Sequence, residues 1–428
     1  MKATGGDAGA TAKGLPPLVE PVAELSPDER ALYSRHLLLG AIGDEGQRRL
    51  RAASVFVVGA GGLGAPVLLY LAAAGVGKIT IVDDDDVDLG NLHRQVIHSV
   101  SSVGMAKVDS ARERLAGLAP GVHVDTVKAR LDALNIMNLL DGHDLVIDGS
   151  DNFATRYLVS DACEIAGIPL IWGTIDRFRA QLAVFWSRPP APAEAVSLRD
   201  LYPSPPPPGT VPSCAEAGVI GALPGTVGSM MAMEAVKLIT GAGRPLLGRL
   251  VLMDLLESTN RTVTIRPDPS REPVTELPDG GDGGPACEVV DPELAAVPTV
   301  TATDLAAELD AAPATDPGTE SSTTAGAGSR GPVAPVLVDV RTAGERSIAQ
   351  IDPSVWVPLD TVAEDAADPT GVLGRAAARG PLVIYCKAGT RSARAAATLT
   401  AAGFAGVRSL EGGIEAWTRD VDPSLPGY

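Results

Sequence analysis

The sequence predicts an α/β protein of two domains, a larger doubly wound domain followed by a smaller α/β one. Three observations carry that prediction. A chain of 428 residues exceeds what one hydrophobic core ordinarily organises, about 100–200 residues per domain. From Val55 to Val82 the pattern runs strand, glycine-rich turn, apolar helix, strand (VFVV, GAGGLG, APVLLYLAAAGV, KITIV), which is one unit of a parallel sheet. A stretch rich in Pro, Gly and acids at 268–298 then interrupts the hydrophobic periodicity, and short strands resume beyond it.

In chain order, residues 1–24 are rich in Gly, Ala and Pro and lack the basic start, apolar centre and cleavage site of a signal peptide, so they read as a flexible tail of a cytoplasmic protein. The first domain is expected over 25–267. After the Val55–Val82 unit come a helix at Ala106–Leu118, a strand at Val122–Val127, a buried strand at Leu145–Ile147 and a helix after Asn152. The segment Arg188–Pro212 holds too many prolines for regular helix or a central strand and reads as a surface crossing loop. Gly228–Ile239 reads as an apolar helix, and Arg249–Met253 and Thr262–Ile265 as strands. Residues 268–298 have a linker composition. The second domain, 299–428, opens with a helix at Ala302–Leu309, is interrupted at 311–334 by a low-complexity insertion expected to be disordered, and continues with the strands PVLVDV, WVPL and LVIYC.

A net charge of -18 repels nucleic acid and anionic membranes at long range, and neither is expected as a partner. No run approaches the roughly 18 apolar residues of a membrane span. The four cysteines, Cys163, Cys214, Cys287 and Cys386, show no paired short spacing, which argues against a disulfide framework and against a four-thiolate zinc site.

Gly59, Gly61, Gly62 and Gly64 lie between a strand and a helix, where backbone amides and the positive helix end can approach a phosphate. Asp83 closes the second strand and suits ribose hydroxyls. That much also fits an NAD(P)-dependent oxidoreductase. Asn91, Arg94 and Lys107 favour a triphosphate instead, and Asp151 can hold magnesium.

Taken together, GAGGLG, DLGNLHRQ (with Gly90), VGMAK and DGSDN resemble, in order and spacing, the ubiquitin-activating-type adenylyltransferases, and most closely those serving the molybdopterin-synthase and thiamine sulfur carriers. The likeness spans Leu32–Leu277. It implies a Rossmann-like domain that uses Mg-ATP to adenylylate the C-terminal Gly-Gly carboxylate of a small ubiquitin-like carrier protein. Asp83 would bind the ribose, Asn91, Arg94 and Lys107 the phosphates, and Asp151 with Asn152 the magnesium. Arg35, in LYSRHLLL, would reach a partner subunit's active site, which makes the protein a homodimer. Better-known members carry two Cys-x-x-Cys pairs for zinc. Here Ser197 and Asp200 replace the first pair, and Arg266–Pro273 has no cysteine, so no zinc is expected and the crossing loop should be held by packing.

Cys386 opens the loop Cys386-Lys387-Ala388-Gly389-Thr390-Arg391-Ser392 between LVIYC and an apolar helix. A ring of amides at a helix N-terminus stabilises a thiolate and equally a persulfide. With VLVDVR and LEGGIEAW, the segment Thr299–Tyr428 is similar to rhodanese-like domains, though SIAQI stands where Gly-His is common. The resemblance implies that Cys386 takes sulfur from a cysteine desulfurase or thiosulfate and passes it to the adenylylated carrier, giving a thiocarboxylate. Cys214, in PSCAE after the prolines, resembles a cysteine that attacks the acyl adenylate or forms a transient acyl disulfide. A non-catalytic docking role for the second domain, and ligation of the carrier to lysines, are weaker alternatives. Which carrier and pathway are served stays open at this level.

Overall fold

A computed structural model describes residues 14–206, 218–277, 297–311 and 333–427. The chain divides into two compact units, one ending at Glu288 and the other starting at Val289. Cys214 and Cys287 lie outside the described residues, as do most of the expected linker and of the expected insertion.

The first unit is built on an eight-stranded sheet of order β3-β2-β1-β4-β5-β6-β7-β8. The strands are β1 (Ser54–Val58), β2 (Lys78–Val82), β3 (His123–Val127), β4 (Leu145–Asp148), β5 (Leu170–Asp176), β6 (Arg179–Phe185), β7 (Arg249–Asp254) and β8 (Thr259–Thr264). The first five pair in parallel and the last three antiparallel. The central strands are almost continuously apolar because helices cover both faces. Val55 and Val57 pack with the helices Gly64–Ala73 and Ala222–Thr240, whereas Phe56 and Val58 join Val159 and Cys163 of the helix Phe153–Ala166 on the other face. The order reverses at β1, which lies between β2 and β4. A crevice therefore opens at the C-terminal ends of β1 and β4, where ligands bind in such sheets.

Several elements depart from the sequence reading. The hairpin β5–β6 was not anticipated; its turn is Arg177-Phe178, with Arg177 at φ 54, and neither residue is a usual turn former. The long apolar helix starts at Ala222 rather than Gly228, since Pro224 sits in its first turn, where no N–H is needed. Residues 14–24 are docked and not a loose tail: Leu15, Leu18 and Val19 pack on the core, and Leu18 N–H donates to the Leu238 carbonyl at 2.9 Å. Residues 268–277 likewise belong to the first unit, with Leu277 on its core.

The crossing loop's base is held by charge, which corrects the expectation of packing alone. Ser197 caps the short helix Leu198–Leu201 in a capping box with Asp200. Asp200 Oδ1 accepts from Arg271 Nε at 3.0 Å and from the Asp268 amide at 3.0 Å. Arg271 Nη1 also reaches Glu164 Oε1 at 2.9 Å, and Arg199 grips both oxygens of Asp161 at 2.7 and 2.8 Å.

In the second unit, five parallel strands run in the order β11-β10-β12-β13-β9. They are β9 (Thr299–Val300), β10 (Val336–Asp339), β11 (Ser354–Trp356), β12 (Leu382–Tyr385) and β13 (Arg408–Leu410). Val338 and Ile384 face one core, and Leu337, Val383 and Tyr385 the other. The first helix runs Ala302–Ala311. Among the described residues no helix is long and apolar enough to cross a membrane.

Candidate active sites

The glycine loop leaves β1 and enters the helix Gly64–Ala73 so tightly that a Cβ on Gly64 would lie 1.8 Å from the Gly59 carbonyl oxygen. Gly59 itself sits at φ +87, a region open to glycine at little cost. Between them Ala60 is clamped from both sides. Its N–H donates to Asp83 Oδ2 at 2.8 Å, and its carbonyl accepts from His98 Nε2 at 3.0 Å. Because a carbonyl only accepts, His98 carries its proton on Nε2, and Nδ1 accepts from Ser110 Oγ at 2.9 Å. Burial pushes the His98 pKa below its usual value and outweighs the bond to Ala60.

Around this loop lies a cavity of about 260 Å³ lined by Gly59, Gly61, Gly62, Asp83, Arg94 and Lys107 on one side and by Asp151 and Asn152 on the other. Lys107, nearly buried, is the first residue of the helix Lys107–Leu118, and its Nζ donates to Asp85 Oδ2 at 2.6 Å. Burial raises the Asp83 carboxyl above the usual range, and the Lys107 charge offsets this only in part. Arg94 Nη1 donates to the Gly90 carbonyl at 2.9 Å and lies 2.8 Å from His93 Nε2. Asp151 is exposed and makes no side-chain hydrogen bond among the described residues, whereas Asn152 Oδ1 accepts from the Thr155 amide at 2.8 Å as a helix cap.

Gly64, Gly90 and Asn91 lie outside that lining, Gly90 and Asn91 in the 3-10 turn Leu89–Asn91. Arg35 is exposed on the short helix Ser34–Leu37, beside the exposed Leu32, Leu38 and Leu39.

Sequence reasoning missed His98, Asp85, Asp148 and Arg156. Asp85 holds Lys107, and Asp86 pairs with Lys128 at 2.6 Å. Asp148 ends β4 fully buried, with Oδ1 accepting from the Ser150 amide at 2.9 Å and burial raising its pKa. Arg156 Nη2 donates to the Ser150 carbonyl at 3.0 Å. A second cavity, of about 520 Å³, shares Asp151, Arg156 and Ile175 with the first and is walled by Tyr157, Trp172 and Tyr202.

In the second unit, Cys386 follows β12 and is 1% exposed. The Gly389 amide donates to its Sγ at 3.1 Å, and Ser392 Oγ lies 3.4 Å away. Gly389 is at φ +105 and opens the helix Thr390–Ala401. The segment Leu410–Trp417 braces the loop from behind: the Ile414 amide donates to the Cys386 carbonyl at 2.9 Å and the Glu415 amide to the Lys387 carbonyl at 3.1 Å. Gly413 packs so closely that a Cβ would lie 2.3 Å from the Lys387 oxygen. Arg391 makes a two-pronged pair with Glu345, at 2.9 and 2.6 Å, and Lys387 Nζ lies 3.7 Å from Glu415. Cys163, by contrast, is buried in the first unit with its thiol pushed up by burial, as befits a core residue.

These two arrangements define an enzyme class: a glycine-lined cavity at the switch point of a doubly wound sheet, joined in one chain to a buried cysteine whose Sγ accepts from a loop amide. The ThiF family matches residues 33–274 and the rhodanese-like domain residues 326–420. The chain belongs to the ThiF family and carries a C-terminal rhodanese-like domain. It is 45% identical over 417 residues to the probable adenylyltransferase/sulfurtransferase MoeZ of Mycobacterium tuberculosis, covering 97% of this chain and 99% of that one. It is 37% identical to the adenylyltransferase and sulfurtransferase MOCS3 of Aedes aegypti, covering 95% and 90%. The sulfur carrier protein adenylyltransferase of Thermus thermophilus matches at 50% identity over 56% of this chain and 89% of its own. Among solved structures, E. coli MccB superposes with a TM-score of 0.51 at 19% identity over 60% of this chain and 76% of that one, a likeness of fold alone.

Proposed function

We propose that the protein adenylylates the C-terminal Gly-Gly carboxylate of a small ubiquitin-like sulfur-carrier protein and then delivers sulfur to it from Cys386. The observation that carries this is the pairing, in one chain, of a cavity of about 260 Å³ lined by Arg94, Lys107 and Asp151 with a cysteine whose Sγ accepts from a loop amide. The relatives similar over nearly the whole length are named for both activities.

In the first step a carboxylate oxygen of the carrier attacks the α-phosphorus of ATP and pyrophosphate leaves. Arg94 and Lys107 offset the charge that gathers on the phosphates, and no side-chain nucleophile is required. Asp151, exposed in the cavity lining, would hold magnesium, a cation that takes one or two carboxylates plus phosphate oxygens and would draw charge from the leaving group. Asn152 is committed to its cap and assists through the backbone turn it fixes. The aromatic-walled second cavity, which meets the first at Asp151 and Arg156, gives the extended acid tail a path to the α-phosphate.

In the second step the terminal sulfur of the Cys386 persulfide attacks the acyl carbon and AMP leaves. A thiol then attacks the Cys386 sulfur of the acyl disulfide, which frees the thiocarboxylate and leaves a disulfide on Cys386 that an external dithiol reduces before the next round; Cys214 is our candidate for the attacking thiol. A cysteine desulfurase or another donor reloads Cys386. Exposed Arg35 among exposed leucines supports a homodimer in which the arginine serves the neighbouring subunit. We place the enzyme in the cytoplasm.

The test is ATP–pyrophosphate exchange stimulated by carriers ending in Gly-Gly, followed by mass spectrometry of the carrier for thiocarboxylate. Arg94→Ala and Asp151→Ala should each abolish exchange. Reduction of NAD with no exchange would overturn the reading in favour of an oxidoreductase.

A further inference from the structure

The persulfide loop is cationic in sequence but close to neutral in the folded unit. Arg391 is held by both oxygens of Glu345, and the two side chains are 13% and 10% exposed. Glu345 is itself fixed, since its Oε2 accepts from the Thr342 amide and hydroxyl at 3.0 and 2.9 Å in the capping box of the helix Ala343–Ile348. Burial pushes the Glu345 carboxyl up, but Arg391 and the Thr342 amide outweigh it and leave it below its usual value, so it stays ionised at neutral pH. Lys387, the loop's other cation, faces Glu415. Residues 297–428 carry 16 Asp or Glu against 10 Lys or Arg, a balance that repels small anions.

From this geometry we infer that Glu345 is a specificity-determining residue: by neutralising Arg391 it turns the Cys386 loop against sulfur-donor dianions such as thiosulfate and towards a persulfide borne on a thiol, R–S–SH. The inference rests on the reading of Cys386 as the sulfur-carrying residue. In the step it names, the Cys386 thiolate attacks the outer sulfur of R–S–SH, the donor S–S bond breaks and R–S⁻ leaves. Cys386–S–SH remains, the proton staying on the transferred sulfur. No oxidant or reductant enters. The leaving group carries a single charge and only one atom has to enter the loop. With thiosulfate, the approaching species is doubly negative and sulfite must depart through the same rim.

The experiment measures second-order rate constants for loading Cys386 in the full-length protein, by intact-mass spectrometry, with cysteine persulfide and with thiosulfate as probes. The wild type should load at least about ten-fold faster from the persulfide. Glu345→Gln keeps an acceptor for the Thr342 cap but removes the charge facing Arg391, and a charge-assisted contact regained by the dianion narrows the ratio by about ten-fold or more. Adding Arg391→Ala to Glu345→Gln should restore the wild-type ratio. Equal loading by both probes in the wild type overturns the inference, as does a ratio unmoved in Glu345→Gln because both rates fall together. Loading by neither probe, with Cys386→Ala indistinguishable from wild type, overturns the sulfurtransferase reading itself.

Discussion

Arg271 is the keystone of the charged clip that holds the base of the crossing loop. Its Nε and Nη1 serve Asp200 and Glu164, whose side chains are only 2% and 5% exposed. Arg271→Ala leaves both carboxylates buried without their cation. Removing one partner of a buried pair costs about 3–5 kcal/mol, and at roughly 2–4 °C per kcal/mol for a domain of this size the first unit should melt about 10 °C lower. Scanning calorimetry of the full chain reads this directly, because the first unit's transition is the one that ATP raises. Arg271→Ala combined with Asp200→Asn should be less damaging than the two changes summed, since the second removes a charge that the first stranded. A first transition unmoved by Arg271→Ala, or a double variant worse than additive, would refute the clip.

Gly64→Ala places a Cβ against the Gly59 carbonyl, and a displacement of about 1 Å in the loop should cost on the order of 100-fold in ATP–pyrophosphate exchange, with circular dichroism showing that the fold is retained. Gly413→Ala adds a side chain at φ +60 behind the Lys387 carbonyl and should slow sulfur loading of Cys386 by at least about ten-fold, whereas Gly427→Ala, in open space, should not. Burial lowers the His98 pKa in the folded chain, so His98 contributes stability above its unfolded pKa that is lost as pH falls through the folded value. Asp83 and Asp148, raised by burial, act in the opposite sense, so the check is a difference: melting of wild type minus His98→Gln should decline between about pH 7 and pH 5, and a rise would contradict the assignment.

The parts of the fold legible in the sequence were those with one strong local signal. The Val55–Val82 unit announces itself because buried parallel strands are apolar without interruption and the turn needs glycine at Gly59 and Gly64. The Cys386 loop is equally plain, lying between an apolar strand and a helix that starts beside it. What stayed hidden depends on partners far along the chain. Nothing near Arg271 reveals that Glu164, 107 residues away, will receive it. Nothing around His98 points to Ala60, 38 residues earlier. The Leu15–Val19 arm has no periodicity of its own and is held by residues far along the chain, Leu238 and Arg49 among them, and the β5–β6 hairpin turns on Arg177 and Phe178 where turn chemistry would place glycine or asparagine.

Because the thiol of Cys386 lies sunk beneath its own loop, a bulky acceptor cannot touch it. An S–S bond of about 2 Å lifts the added atom towards the opening, so a visiting protein meets chemistry only when cargo is aboard. An empty loop therefore forms no dead-end thioester with an adenylylated carrier, and each transfer waits for a loaded sulfur.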